Sequence, residues 1–173
     1  ALLVFHPVLS EAEESSGQVI AIIDAALACG CQVISLMPNS DAGSDAVREA
    51  LTKARDDGRI VLQTHLKRPE FVSWMAAVDV MLGNSSSGII EAATFGTPVV
   101  NVGSRQAFRE RNKNVVDVAA HAVELQAALE VTLKSGRYPP SNLYGDGQSG
   151  RRIVELLSEI VWSKESLAKS NAY

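Results

Sequence analysis

Six short apolar runs, at residues 2–5, 32–37, 59–62, 79–82, 98–102 and 114–118, alternate with stretches of helical period at 13–28, 44–56, 69–77, 88–95 and 121–135. Gly, Pro, Asn or Ser marks each return, the residue types that end regular structure. Strands that are apolar on both faces and separated by helices belong in a parallel sheet covered on each side. The pattern predicts a doubly wound α/β domain with a mainly parallel sheet. Ligands of such sheets bind outside the carboxyl ends of the strands, where loops feed helix N-termini. The loops to read are therefore 6–11, 38–44, 64–70, 83–88 and 103–111.

A chain of 173 residues, 46% hydrophobic and 21% charged, has apolar area for one ordinary globular core over residues 1–173. Its net charge of −4 argues against nucleic acid or a membrane surface as partner, since a polyanion is attracted only by a local basic patch. No run approaches the roughly 18 apolar residues a membrane span needs. The opening "ALLVFHP" starts in mid-strand without Met, and we expect a fragment whose first half lies upstream. Cys29 and Cys31 lack neighbours that would complete a zinc pattern. Both read as reduced core residues, which suits the cytoplasm. A last helical pattern, 152–167, carries an apolar stripe from Ile153 to Val161.

Three of the strand-end loops carry chemistry. "GNSSSG" at 83–88 interrupts the apolar run of residues 80–82 with small polar groups just before a helix. Unpaired amides there, glycines that admit close approach and Ser hydroxyls suit an anion such as a phosphate. The same letters also serve as an ordinary N-cap, and no Lys follows to make a Walker loop. Glu91, expected in the first turn of the following helix, could accept the hydroxyls of a ribose, or merely favour the helix dipole. His6, directly after the first strand, suits a general acid or base, or a hydrogen bond within its own loop. "PNSDAGS" at 38–44 offers groups suited to a sugar, or to a turn and cap. His121 reads as structural.

Taken together, "FHP", "PNSDAGS", "GNSSSGIIEAATFGTPVVNVGSRQAFRERNKNV" and "YGDG" resemble the C-terminal domain of UDP-N-acetylglucosamine 2-epimerases. The hydrolysing kind of sialic acid biosynthesis is the better match, because the other branch usually has an acid-containing loop where this chain has Asn84 and Ser85 to Ser87. The resemblance implies the Rossmann-like C-terminal half of a GT-B fold, two domains facing a cleft that holds a UDP-sugar. By that resemblance Ser85, Ser86 and Ser87 form the diphosphate cradle and Glu91 is the ribose ligand. His6 is then the catalytic histidine of this half, Asn39 a sugar contact, and Arg105 a cation near phosphate and sugar. Carboxylates for the sugar chemistry are expected from the N-terminal domain, and neither cofactor nor metal is required. Ile90 and Phe108 stand where family members have a polar and a small residue.

The activity so implied is conversion of UDP-GlcNAc, or a related diacetamido UDP-sugar, to the 2-epimer with release of UDP. The substrate and the N-terminal domain are the expected partners, and a homo-oligomer is left open. The residues alone also admit a GT-B glycosyltransferase domain or a non-catalytic UDP-sugar-binding module.

Overall fold

The computed structural model describes residues 1–161, 163 and 168. Two compact units divide the chain, Ala1–Leu143 and Tyr144–Tyr173.

The first unit is built on strands β1 (Leu2–Val4), β2 (Ile34–Leu36), β3 (Val61–Gln63), β4 (Met81–Gly83), β5 (Val99–Val102) and β6 (Val115–Val118). The helices between them are α1 (Ser15–Ala28), α2 (Ser44–Asp56), α3 (Arg68–Ala77), α4 (Ser86–Ile90) and α5 (Ala122–Ser135). All strand pairs are parallel, in the order β3-β2-β1-β4-β5-β6. This is the doubly wound arrangement the sequence predicts, with element ends displaced by a few residues.

Alternation along the strands sorts side chains into two layers. Leu3, Phe5, Leu82, Val100 and Val102 pack with Val19 and Ile23 of α1, Val47 and Leu51 of α2, and Leu125 and Leu129 of α5. On the other face Leu2, Val4, Met81 and Val99 meet Met75, Phe71 and Trp74 of α3, and Ala92. Both faces of the inner strands are covered, so β1 and β4 are buried along their whole length. α3 is tied in place by Arg137, whose guanidinium donates to Ala76 O and Val78 O at the end of α3 and to Phe95 O and Thr97 Oγ1 beyond α4.

One helix differs from expectation. In place of a helix over 88–95, α4 starts at Ser86 and stops at Ile90, and a 3-10 turn, Ala92–Phe95, completes the segment. Ser85 is the N-cap, its Oγ accepting the Ser87 amide at 3.3 Å. Gly96 ends the turn at φ 64, and a Cβ there would lie 1.9 Å from Tyr138 O.

Cys29 and Cys31 are free thiols but only partly buried, in the turn after α1, and so sit at the margin of the core rather than inside it. Burial pushes both thiols up from the ordinary cysteine range.

In the second unit, α6 (Ser149–Glu159) starts earlier and ends earlier than the expected helix, of which residues 162 and 164–167 lie outside the described residues. The "YGDG" motif starts it: Asp146 accepts the Gln148 amide at 3.0 Å and both Arg152 guanidinium nitrogens, at 2.8 and 2.6 Å. Arg152 in turn holds the Asp146 carboxyl down at about 2. Ile153, Val154, Leu156, Leu157 and Ile160 are exposed. Among the described residues no helix is long and apolar enough to cross a membrane.

Candidate functional site

The strand order sets β1 beside β4 at the point where the winding reverses, the place where open α/β sheets hold ligands. The loops leaving these strands begin with His6 and Asn84, and they lock together. The His6 amide donates to Asn84 Oδ1 at 2.8 Å, and Asn84 Nδ2 donates to the His6 carbonyl at 2.7 Å. One side chain, 2% exposed, thus satisfies two backbone groups that have run out of sheet partners. Gly83 permits the approach: its φ is 113°, and a Cβ would stand 2.3 Å from Val4 O.

Two further loops converge on this pair. Arg105 Nη1 and Gln106 Nε2 both donate to the Asn84 carbonyl, at 3.2 and 2.8 Å. The Asn39 amide donates to His6 Nδ1 at 3.2 Å, and Arg48 Nη2 holds the Pro38 and Asn39 carbonyls at 3.0 Å each. Glu11 accepts from Gln18 and from Ser104, joining the first loop to the fifth. Those bonds lower the Glu11 carboxyl below its usual range, the Ser104 contact most.

The bond from Asn39 decides the chemistry of His6. Because Nδ1 accepts, the neutral ring carries its proton on Nε2. Burial, then the nearby Arg105 charge, lowers the His6 pKa, against weaker opposing effects of Asp41 and the Asn39 bond. The neutral form of the ring is therefore favoured, with Nε2–H as a hydrogen-bond donor. Arg105 is half-buried, and among the described residues no carboxylate pairs with it. Arg111, in contrast, is fully engaged with Asp117 and the Arg109 and Gln106 carbonyls, and braces the loop.

Of the expected site residues, His6, Asn39 and Arg105 join one hydrogen-bonded set with Asn84. The Asn39 side chain itself is turned to Asp41. Ser85, Ser86 and Ser87 follow Asn84 directly. Ser85 and Ser87 share a hydroxyl hydrogen bond of 2.8 Å, and Ser87 is buried, while Ser86 is half-buried. A helix of five residues carries little macrodipole, so any anion there would rely on amides, hydroxyls and Arg105.

Glu91 is not in the first turn of the helix. It is the C-cap of α4, where φ −109 bends the chain into the 3-10 turn, and its carboxylate pairs with Arg68. Arg68 also lines a cavity of about 350 Å³ outside the ends of β2 and β3, with Leu36, Met37, His65, Leu66 and Phe71. The sequence reading missed Asn84, Gln106 and Arg68. All three lie in loops the sequence marks, but their partners do not show in it: that of Asn84 lies 78 residues away.

Against known proteins, the profile of the UDP-N-acetylglucosamine 2-epimerase family matches residues 1–158. A UDP-N,N'-diacetylbacillosamine 2-epimerase (hydrolyzing) of Legionella pneumophila is 45% identical over 172 residues, 99% of this chain and 46% of that protein. A UDP-N-acetylglucosamine 2-epimerase of Neisseria meningitidis is 26% identical over 94% of this chain and 43% of its own length. The chain thus spans about half of these relatives. Among solved structures, the Methanocaldococcus jannaschii UDP-GlcNAc 2-epimerase in complex with UDP-GlcNAc and UDP superposes with TM-score 0.67 at 15% identity, covering 91% of this chain and 44% of that one. The Neisseria meningitidis enzyme bound to UDP-GlcNAc gives 0.67 at 16% identity, covering 92% and 44%. These neighbours establish the fold as half of a GT-B architecture. The match of the family profile over nearly the whole chain makes it a member of the UDP-N-acetylglucosamine 2-epimerase family.

Proposed function

We propose that the full-length protein is a hydrolysing epimerase that converts UDP-GlcNAc, or a 2,4-diacetamido UDP-sugar, into the free 2-epimeric sugar and UDP. The observation that carries this reading is the hydrogen-bonded set in which Asn84 locks His6 to the loop of Ser85 to Ser87 and to Arg105, with His6 Nδ1 accepting the Asn39 amide. The similarity to the Legionella pneumophila protein, 45% identical, supports the hydrolysing reaction and favours the diacetamido sugar.

In this reading the Ser85 to Ser87 amides and hydroxyls, with Arg105, hold the diphosphate and stabilise its charge as it departs. Asn39 contacts the sugar, and Glu91 the ribose. The cavity beside Arg68 and Phe71 takes the base, because the Arg68–Glu91 pair connects it to α4. The bond from C1 to the diphosphate oxygen breaks as C2 loses its proton, and its electron pair leaves with UDP. Water then adds at C1, and a proton returns to C2 on the opposite face. His6 Nε2–H donates to the departing diphosphate or orients the entering water. The base at C2 is assigned to the remainder of the full-length protein, and the setting to the cytoplasm.

The test is turnover of UDP-GlcNAc and of the diacetamido UDP-sugar by full-length protein with no acceptor present. Release of a free 2-epimeric sugar is expected, and a glycosyltransferase would give none. His6→Ala should lower kcat by about 100-fold or more with UDP affinity nearly unchanged. Wild-type turnover in that variant would overturn the role of His6. The chain of 173 residues alone should bind UDP near the millimolar range, about −4 kcal/mol, without turnover.

A further inference from the structure

Arg68 is the first residue of α3, and its place is set by the helix start: Glu70 accepts the Lys67 amide at 3.2 Å, and Pro69 follows in the first turn. The residue does two things at once. Its guanidinium pairs with Glu91 Oε2, on a different element 23 positions along the chain, and Arg68 is one of the residues lining the cavity outside β2 and β3. The Arg137 clamp described above holds α3 against the segment that follows Glu91, so the two ends of the ion pair sit on braced elements. The pair is closest at Glu91 Oε2.

An exposed Arg–carboxylate pair adds little to stability, and Arg68 is 65% exposed. Its effect on geometry is larger. A carboxylate on a flexible side chain samples several rotamers, whereas one with an oxygen held by a guanidinium keeps the other oxygen and its remaining lone pairs aimed in one direction. A vicinal diol needs that: two hydroxyls must find acceptors simultaneously.

We propose that Arg68 is a positioning residue of the nucleoside subsite, holding the Glu91 carboxylate beside the cavity so that it accepts both ribose hydroxyls of a nucleoside diphosphate. This rests on the nucleotide-binding reading above and deepens it, since it names a group that acts through Glu91 and not on the phosphates or the sugar.

The experiment measures binding of UDP and of 2′,3′-dideoxy-UDP to the full-length protein by calorimetry, for wild type, Glu91→Gln, Arg68→Ala and Arg68→Lys. Wild type should prefer UDP by about tenfold or more, the loss expected when hydrogen bonds to a charged group disappear. Arg68→Ala should bring that ratio down to about threefold or less while affinity for the dideoxy compound changes little. Arg68→Lys keeps the charge without the planar fork, and should recover part of the ratio. Glu91→Gln should abolish most of it. A general loss of positive charge would weaken both nucleotides equally, and that result, or an unchanged ratio in Arg68→Ala with an unchanged melting temperature, overturns the proposal. A wild type without preference overturns the ribose role and this proposal with it, and leaves the phosphate site standing. A wild type that binds neither nucleotide overturns the nucleotide reading itself.

Discussion

Asn84 and His6, 78 residues apart in sequence, exchange two hydrogen bonds across the switch point, amide to Oδ1 at 2.8 Å and Nδ2 to carbonyl at 2.7 Å. Asn84→Ala should leave both His6 backbone groups without partners in a buried place, at a cost of about 2–4 kcal/mol for the pair. Asn84→Asp keeps the acceptor but sets a second oxygen against the His6 carbonyl, and should also destabilise. Urea denaturation checks both. An unaltered midpoint in Asn84→Ala would show that the pair is incidental.

Two glycines should respond in opposite directions to alanine. At Gly83 a Cβ would meet Val4 O at 2.3 Å, with φ at 113°, so Gly83→Ala should cost about 3 kcal/mol or more through combined clash and strain. At Gly17, within α1, nothing lies within 4 Å of the added Cβ. Gly17→Ala should stabilise by about 0.5–1 kcal/mol. Thermal unfolding of the two variants beside wild type decides it, and equal shifts would contradict the geometry.

His6 gives the protein a pH dependence of known sign. Burial lowers its folded pKa below the ordinary 6.5, so in the interval between the two values the unfolded chain binds more protons. Stability therefore falls as pH drops through 6.5, and levels off below the folded pKa. Comparing wild type with His6→Gln between about pH 8 and pH 5 isolates the effect. The wild type should lose the larger share of stability on acidification, and parallel profiles would remove His6 as the cause.

Phe108 is fully exposed and has φ 67, the only non-glycine residue with positive φ among those described. A bulky residue in that region carries a cost on the order of 1 kcal/mol or more. Phe108→Gly should raise stability by up to about 1 kcal/mol, and Phe108→Ala, which keeps the Cβ, should gain less. A melting temperature that falls in Phe108→Gly would mean that the ring packs on something in solution.

The alternation of apolar runs and helical periods was enough to foretell a parallel, doubly wound sheet, because burial on both faces leaves its mark on the inner strands, as Leu2, Leu3 and Val4 illustrate. It also located the loops that matter, since the rule for strand ends depends only on chain order. The order β3-β2-β1-β4-β5-β6 was not in the pattern: periodicity reports which face of a strand is buried and says nothing about which strand lies beside it. Glu91 was misplaced for a related reason. A 3-10 turn and an α-helix share nearly the same apolar spacing over one turn, so the break at Glu91, φ −109, leaves no mark in the sequence. Four types of residue at loop positions could be named from sequence: a histidine, serines, an arginine, an asparagine. Which of them touch was decided by the tertiary structure, because the bonds that orient His6 come from Asn39 and Asn84, 33 and 78 residues away, and a hydrogen bond depends on distance in space and not on separation along the chain.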